Sequence, residues 1–145
     1  MAVMAEYLVR GWNVAIPEVD IGDDIFVVRD SDGNLSRIQV KTASAQERAN
    51  GYSAKFSLSL TQLTRFITPD LSYIFVVRRN HRWETFVVID RDALKEEQEL
   101  HNVGSLTKDN KLMIRFQFSD TKVTCSGRNF THYLNNWDKW PAIQH

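Results

Sequence analysis

Only one cysteine, Cys125, occurs in the 145 residues, so no intrachain disulfide can form and a reducing, cytoplasmic setting is expected. That lone thiol and the scattered His81, His101, His132 and His145 offer no zinc-binding spacing. The longest apolar runs, such as Tyr73 to Val77, fall far short of the roughly 20 residues a membrane helix needs. The N-terminus lacks the basic region and cleavage site of a secretory signal. No glycine-rich phosphate loop and no Gly-x-Ser-x-Gly elbow occur. Asp30-Ser31-Asp32-Gly33-Asn34 opens like a calcium loop, but its glycine is misplaced and the required glutamate would fall at Lys41, so it reads as a turn.

The chain also lacks net charge, but its charges are unevenly spread. Up to residue 35, seven acids face two bases; from 36 to 85, eight bases face three acids. An acidic cluster beside a basic region suits a site that holds a divalent cation and a polyanion together; two solvated faces of opposite sign are the simpler reading of charge alone. Length and ordinary composition fit one domain, residues 1–145, with a real hydrophobic core and no internal repeat.

Local patterns predict a helix over Ala2 to Arg10 ended by Gly11, then a strand over Trp12 to Ile16 stopped by Pro17. Ile25 to Arg29 and Leu35 to Thr42 are apolar strands joined across a two-residue turn at Asp32-Gly33. Ser44 to Gly51 reads as a loop, and Tyr52 to Leu60 alternates like a half-buried strand. A helical segment capped by Thr61 follows, then a hairpin of Tyr73 to Arg79 with Trp83 to Asp90. A helix from Asp92 to Leu100, strands over Lys111 to Phe118 and Lys122 to Ser126, and a terminal helix over Phe130 to Trp137 complete the order. The expected class is α+β, with a mixed central β-sheet flanked by helices.

The first hairpin carries the strongest chemical signal. Asp24 stands at the mouth of an apolar strand, and Gln39-Val40-Lys41 lies on its partner. A two-residue turn makes paired residue numbers sum to 65, setting Asp24 opposite Lys41 and Phe26 opposite Gln39. Paired residues, and residues two apart on one strand, share a face, so Asp24, Gln39 and Lys41 are expected together. A one-residue bulge would reverse that parity. The grouping fits phosphodiester cleavage: Asp24, the Gln39 side-chain oxygen and the Val40 carbonyl offer oxygens to Mg²⁺, and Lys41 orients a water or balances developing charge.

These residues resemble the PD-(D/E)XK nuclease superfamily: an acid before an apolar strand (Asp24 to Val28), a turn, then Gln39-Val40-Lys41. The text Arg10 to Pro17 is also similar to the helix-to-strand passage of small Holliday-junction-resolvase-like and intron-associated endonuclease domains, some of which carry Gln in place of the second acid. The likeness spans about residues 2 to 90. It implies a restriction-endonuclease-like core and a Mg²⁺-dependent endonuclease acting on DNA, with Mn²⁺ as a substitute. It also implies a homo-oligomer, since cutting both strands calls for two sites. Asp23 replaces the usual proline, and Gln39 leaves one fewer negative charge. The first-helix glutamate of the family corresponds either to Glu6, five residues before Gly11, or to a position upstream of Met1. The alternative is a nuclease-fold protein without catalysis that binds nucleic acid or a protein partner.

Each residue also has a plainer reading. Asp24 is otherwise a turn residue, Lys41 a lysine snorkelling from a sheet edge, Gln39 a partner for a backbone group, and Glu6 a helix-surface residue. Glu18, Asp20 and Asp23 crowd the same strand mouth and are mainly solvated, with any one of them a candidate to hold a metal ligand in place from behind; Lys55 and Gln62 are lesser candidates for phosphate contact. Arg78, Arg79, His81, Arg82 and Trp83 form a basic hairpin tip that either tracks a nucleic-acid backbone or is a solvated turn. Tyr133, Trp137 and Trp140 read as core closure or a subunit interface.

Overall fold

The computed structural model describes residues 2–16, 24–29, 31–66 and 68–143, the side chains of Asp24 and Glu84 excepted. Helix α1 (Ala2–Val9) turns Val3 and Tyr7, four residues apart, into the core, and Gly11 ends it at φ +86°. Strands β1 (Asn13–Ala15), β2 (Asp24–Arg29), β3 (Asn34–Ser44), β4 (Gln46–Arg48) and β5 (Gly51–Ser59) follow, then the single turn α2 (Leu60–Thr64). Hairpin β6 (Leu71–Arg79) and β7 (Arg82–Asp90) leads into α3 (Arg91–His101). The chain closes with β8 (Ser105–Leu106), β9 (Lys111–Ser119), β10 (Lys122–Cys125), β11 (Arg128–Asn129) and a 3₁₀ turn at Thr131–Tyr133.

The α+β class holds, and the sheet architecture is richer than expected. A five-stranded mixed sheet runs β1-β2-β3-β6-β7, antiparallel except for the parallel β3–β6 pair. A second sheet, β11-β10-β9-β5-β4 with β8 beside β9, is antiparallel throughout. Strand β6 is buried from Leu71 to Val77 on both faces, as an apolar run in a central strand should be. Its odd positions, Tyr73, Phe75 and Val77, meet Phe56, Ile114 and Phe116 of the second sheet. Its even positions, Ile74 and Val76, join Ile38, Val40, Tyr7, Trp137 and Trp140 under α1 and the C-terminal segment. One face of the mixed sheet is therefore covered by a second sheet, where flanking helices were expected.

Several boundaries need correction. Strand β3 runs on to Ser44, and β4 occupies part of the expected loop. Ser59 caps α2 where Thr61 was expected, and Asp90 caps α3 where Asp92 was expected, each accepting from a backbone N–H three residues on. No helix spans Phe130 to Trp137. The backbone there bonds outward: Leu134 bridges Val87, Asn135 N–H donates to Phe86 O at 2.7 Å, and Asn135 adopts φ +49°. Trp137 and Trp140 are buried in the core, the Trp140 indole N–H donating to Ser36 Oγ. No helix among the described residues is long and apolar enough to cross a membrane.

Candidate functional site

The turn between β2 and β3 decides the register. Arg29 and Asn34 form the last pair, so four positions of sequence separate the strands, and 31 to 33 are a turn. Gly33, at φ +69°, donates its N–H to Arg29 O at 2.8 Å. Asp32 accepts from Asn34 N–H at 2.9 Å and pairs with the Arg29 guanidinium at 2.5 Å, which holds its carboxyl below the ordinary range. Paired numbers consequently sum to 63, and Asp24 stands across from Gln39, correcting the expected Lys41. Because the slip is two residues, the parity on which the grouping depends survives.

At this point the sheet forks. Strand β2 begins at Asp24 opposite Gln39, whereas β3 continues to Ser44 along β6. From Val40 onward, β3 has no described strand on its β2 side. A backbone carbonyl on that edge has the freedom to bind a ligand that a carbonyl inside the ladder lacks.

Gln39 is held by a buried relay. It is 3% exposed, and its Oε1 accepts from Gln62 Nε2 at 3.1 Å. Gln62 Oε1 in turn accepts from the Tyr73 hydroxyl at 3.3 Å. Tyr73 pairs with Gln39 in the parallel ladder, so α2 inserts Gln62 between two side chains on neighbouring strands. Gln62 was a candidate for phosphate contact; the structure makes it the partner of Gln39. Tyr73 was not singled out at all, and only its place in a run of strand formers marked it. Lys41 lies half-buried on β3, paired with Phe75. Val40 turns its side chain into the cluster under α1.

The remaining candidates lie elsewhere. Glu6 receives Arg10 Nη1 on its carboxylate at 2.7 Å, and the same guanidinium also donates to the Glu6 carbonyl. Helix α1 packs with Ile38 and Val40, the face opposite that of Gln39 and Tyr73, so the structure does not bring Glu6 to Gln39. Lys55 is exposed on the second sheet. At the β6–β7 tip, Arg79 is committed to Glu47 at 2.9 Å and lies over the Tyr52 ring at 4.2 Å. Glu18, Asp20 and Asp23 lie outside the described residues. Cys125 is 1% exposed, and burial pushes its thiol up to about 11, so it is no thiolate nucleophile at neutral pH. Among the described residues, no group of three or more His, Cys, Asp or Glu side chains is placed to hold a metal ion.

Comparison with known proteins yields no match: no family model, no curated protein and no solved structure resembles the chain closely enough to be assigned to it.

Proposed function

We propose that the chain is a metal-dependent phosphodiesterase acting on DNA, built on a restriction-endonuclease-like core. One observation carries this reading: Asp24 is paired with Gln39 at the point where β2 begins and β3 continues past it to Lys41. The parallel β3–β6 pair beside it gives the motif strand a central place in a mixed sheet.

The donor set available is one carboxylate (Asp24), one amide oxygen (Gln39) and one carbonyl on the edge that has no strand beside it among the described residues (Val40). All are hard oxygen donors of the kind Mg²⁺ or Mn²⁺ accepts, and their low charge fits weak binding. When bound, such an ion polarises the phosphate and acidifies a water. Lys41, two residues beyond Gln39, brings a cation to the charge that builds on the phosphate. Gln62 and Tyr73 fix the Gln39 amide so that its oxygen has one orientation. Action on both strands of a duplex calls for a homo-oligomer.

A second reading has its own support. Gln39 is nearly inaccessible and its oxygen already accepts from Gln62, which suits a nuclease-like domain that binds nucleic acid without cutting it. Incubation with plasmid and branched DNA in Mg²⁺ and in Mn²⁺ separates the two. The catalytic reading expects cleavage that Asp24→Ala and Lys41→Ala each lower by about 10²-fold or more, and cleavage undiminished by both changes sinks the site. Salt-sensitive binding with no cleavage selects the second reading.

A further inference from the structure

We propose that the solvent-facing side of the second sheet is a contact surface for the phosphate backbone of a nucleic-acid duplex, with the depression between Arg48 and Arg115 seating one phosphate. This surface is separate from the Gln39–Lys41 fork. The fork's buried side chains meet the inter-sheet core from the first sheet, and the proposed surface lies on the far side of that core. It therefore holds or fails independently of the cleavage reading.

Strand alternation produces the surface. In β5, β9 and β10 the residues Phe56, Leu58, Ile114, Phe116, Val123 and Cys125 point into the core. The intervening positions point out, and they carry Lys55, Lys111, Arg115 and Lys122, with Arg48 beside them on β4. All five cations are exposed, and none has an ion-pair partner among the described residues. No acidic residue occupies an outward position of β5, β9 or β10; the other residues there are Ser, Thr, Gln, Gly and Met113. A face kept only for solubility interleaves both signs. Here Lys55 and Arg115 stand directly opposite each other in the ladder, an arrangement that opposes folding and that a polyanion neutralises.

A depression of about 510 Å³ lies at one end of this face; Arg48, Asn50, Arg115, Gln117, Ser119 and Thr124 supply its polar lining, and Tyr52 and Phe118 also border it. Two guanidinium groups with amide and hydroxyl donors are the chemistry that recognises a phosphate oxygen. Arg48 is held in place there, Nε donating to Ser53 Oγ at 3.1 Å and Nη2 to Gln46 Oε1 at 2.9 Å. Tyr52 and Phe118 stack on each other with ring centroids 4.7 Å apart, Phe118 is 5% exposed and Arg79 covers the Tyr52 ring at 4.2 Å. The outward positions of β5, β9 and β10 add no other ring, so an unpaired base finds no free face to stack on, which points to a duplex over a single strand. Met113, half-buried, is the one large apolar side chain at those positions, too little to anchor the face in a bilayer, which points away from a lipid surface.

The test is fluorescence anisotropy of a labelled random-sequence duplex titrated with the full chain in EDTA, where cleavage is silent, over a range of KCl concentrations. The expected result is binding whose log K falls linearly with log salt. The Lys55→Gln/Arg115→Gln double variant should bind at least about tenfold more weakly at low salt, with a slope lower by about 2, near 0.9 for each phosphate no longer neutralised. Lys55→Arg should retain wild-type binding, and an unchanged or raised melting temperature of the double variant shows that its weaker binding is not unfolding. Absence of duplex binding by the wild type, or an unchanged salt slope in the double variant, overturns the proposal. So does binding to phosphatidylserine vesicles or inorganic phosphate without binding to the duplex.

Discussion

Gln39 and Tyr73 face each other across the only parallel strand pair among the described residues and are joined through one inserted side chain, Gln62. A buried amide oxygen that loses its donor bears the desolvation penalty of an unmade hydrogen bond, about 1–3 kcal/mol. Gln62→Ala is accordingly expected to lower unfolding free energy by about 1–2 kcal/mol in urea titration. Gln62→Glu, which presents an acceptor to Gln39 when ionised, should be no better at neutral pH. If cleavage is detected, both changes reduce it by releasing the Gln39 amide from its fixed orientation. A Gln62→Ala protein as stable as the wild type would mean that the relay contributes nothing to holding Gln39.

Lys41 is half-buried and carries the only cation of the Gln39-Val40-Lys41 segment. Its replacement by Ala is expected to lower the cleavage rate by about 10²-fold or more, the scale seen when one stabilising donor is removed from a charged transition state. Asp24→Asn keeps the shape of the side chain and removes its charge, so its defect should lie in metal dependence. Raising Mn²⁺ should recover part of the activity of Asp24→Asn and none of that of Lys41→Ala. Equal rescue of both variants would contradict the separate roles given to them.

Alternation and turn chemistry made the β2–β3 and β6–β7 hairpins, the β5 and β9 strands and the α3 helix legible, because each depends on contacts close in sequence. The site was legible only in part. The observed register leaves Asp24, Gln39 and Lys41 at positions of one parity, yet the Asp32-Gly33 text suggested a two-residue turn. The Arg29–Asp32 ion pair and the Asn34 N–H donated to Asp32 accompany a wider connection instead, in which the last pair is Arg29 with Asn34. Tyr73 escaped notice because its meeting with Gln39 depends on the β3–β6 crossover, in which residues 34 positions apart pair in parallel. The second sheet was missed for the same reason: β5 and β9 pair Tyr52 with Phe118, and nothing local to either strand encodes that contact.

Two glycines with positive φ should respond very differently to alanine. A Cβ on Gly51 would lie 1.9 Å from Phe118 O, a backbone atom that cannot yield without shifting β9. Gly33 has nothing within 4 Å of the same position, so only its φ of +69° opposes a side chain. Gly33→Ala is expected to cost about 1–2 kcal/mol, the penalty of a left-handed L-residue. Gly51→Ala should cost clearly more and distort the depression beside Arg48. Urea midpoints of the two variants check the order, and equal destabilisation would show that the Gly51 clash is relieved by a small movement.

Glu97 on α3 ties down Arg128 of β11 by a two-pronged contact at 2.9 and 3.1 Å. The guanidinium holds the Glu97 carboxyl below its ordinary value of 4.5. A carboxyl depressed in the folded state adds stability that is present in full above its unfolded value and fades as pH falls through the folded one. The wild type should therefore lose this contribution on acidification below about pH 4.5. Arg128→Gln, which lacks it at neutral pH, should show a shallower acid limb. Thermal melts of both proteins between about pH 7 and about pH 3 test this, and parallel curves would mean that the pair does not influence stability.

Lys55 and Arg115 provide the sharpest contrast between folding and binding. Like charges directly opposed in an antiparallel ladder destabilise it by roughly 0.2–1 kcal/mol. Both side chains are exposed, so salt screens the repulsion and the lower part of that range applies at physiological ionic strength. Lys55→Thr introduces a β-branched residue suited to an outward strand position and removes one charge. It is therefore expected to raise unfolding free energy by a few tenths of a kcal/mol at low salt, with the gain shrinking as salt is added. The same substitution should weaken duplex binding and reduce its salt slope by about 1. A residue that opposes the fold while assisting a ligand changes the two measurements in opposite directions. If Lys55→Thr lowers stability and leaves duplex binding intact, the lysine is there for the sheet and not for a polyanion.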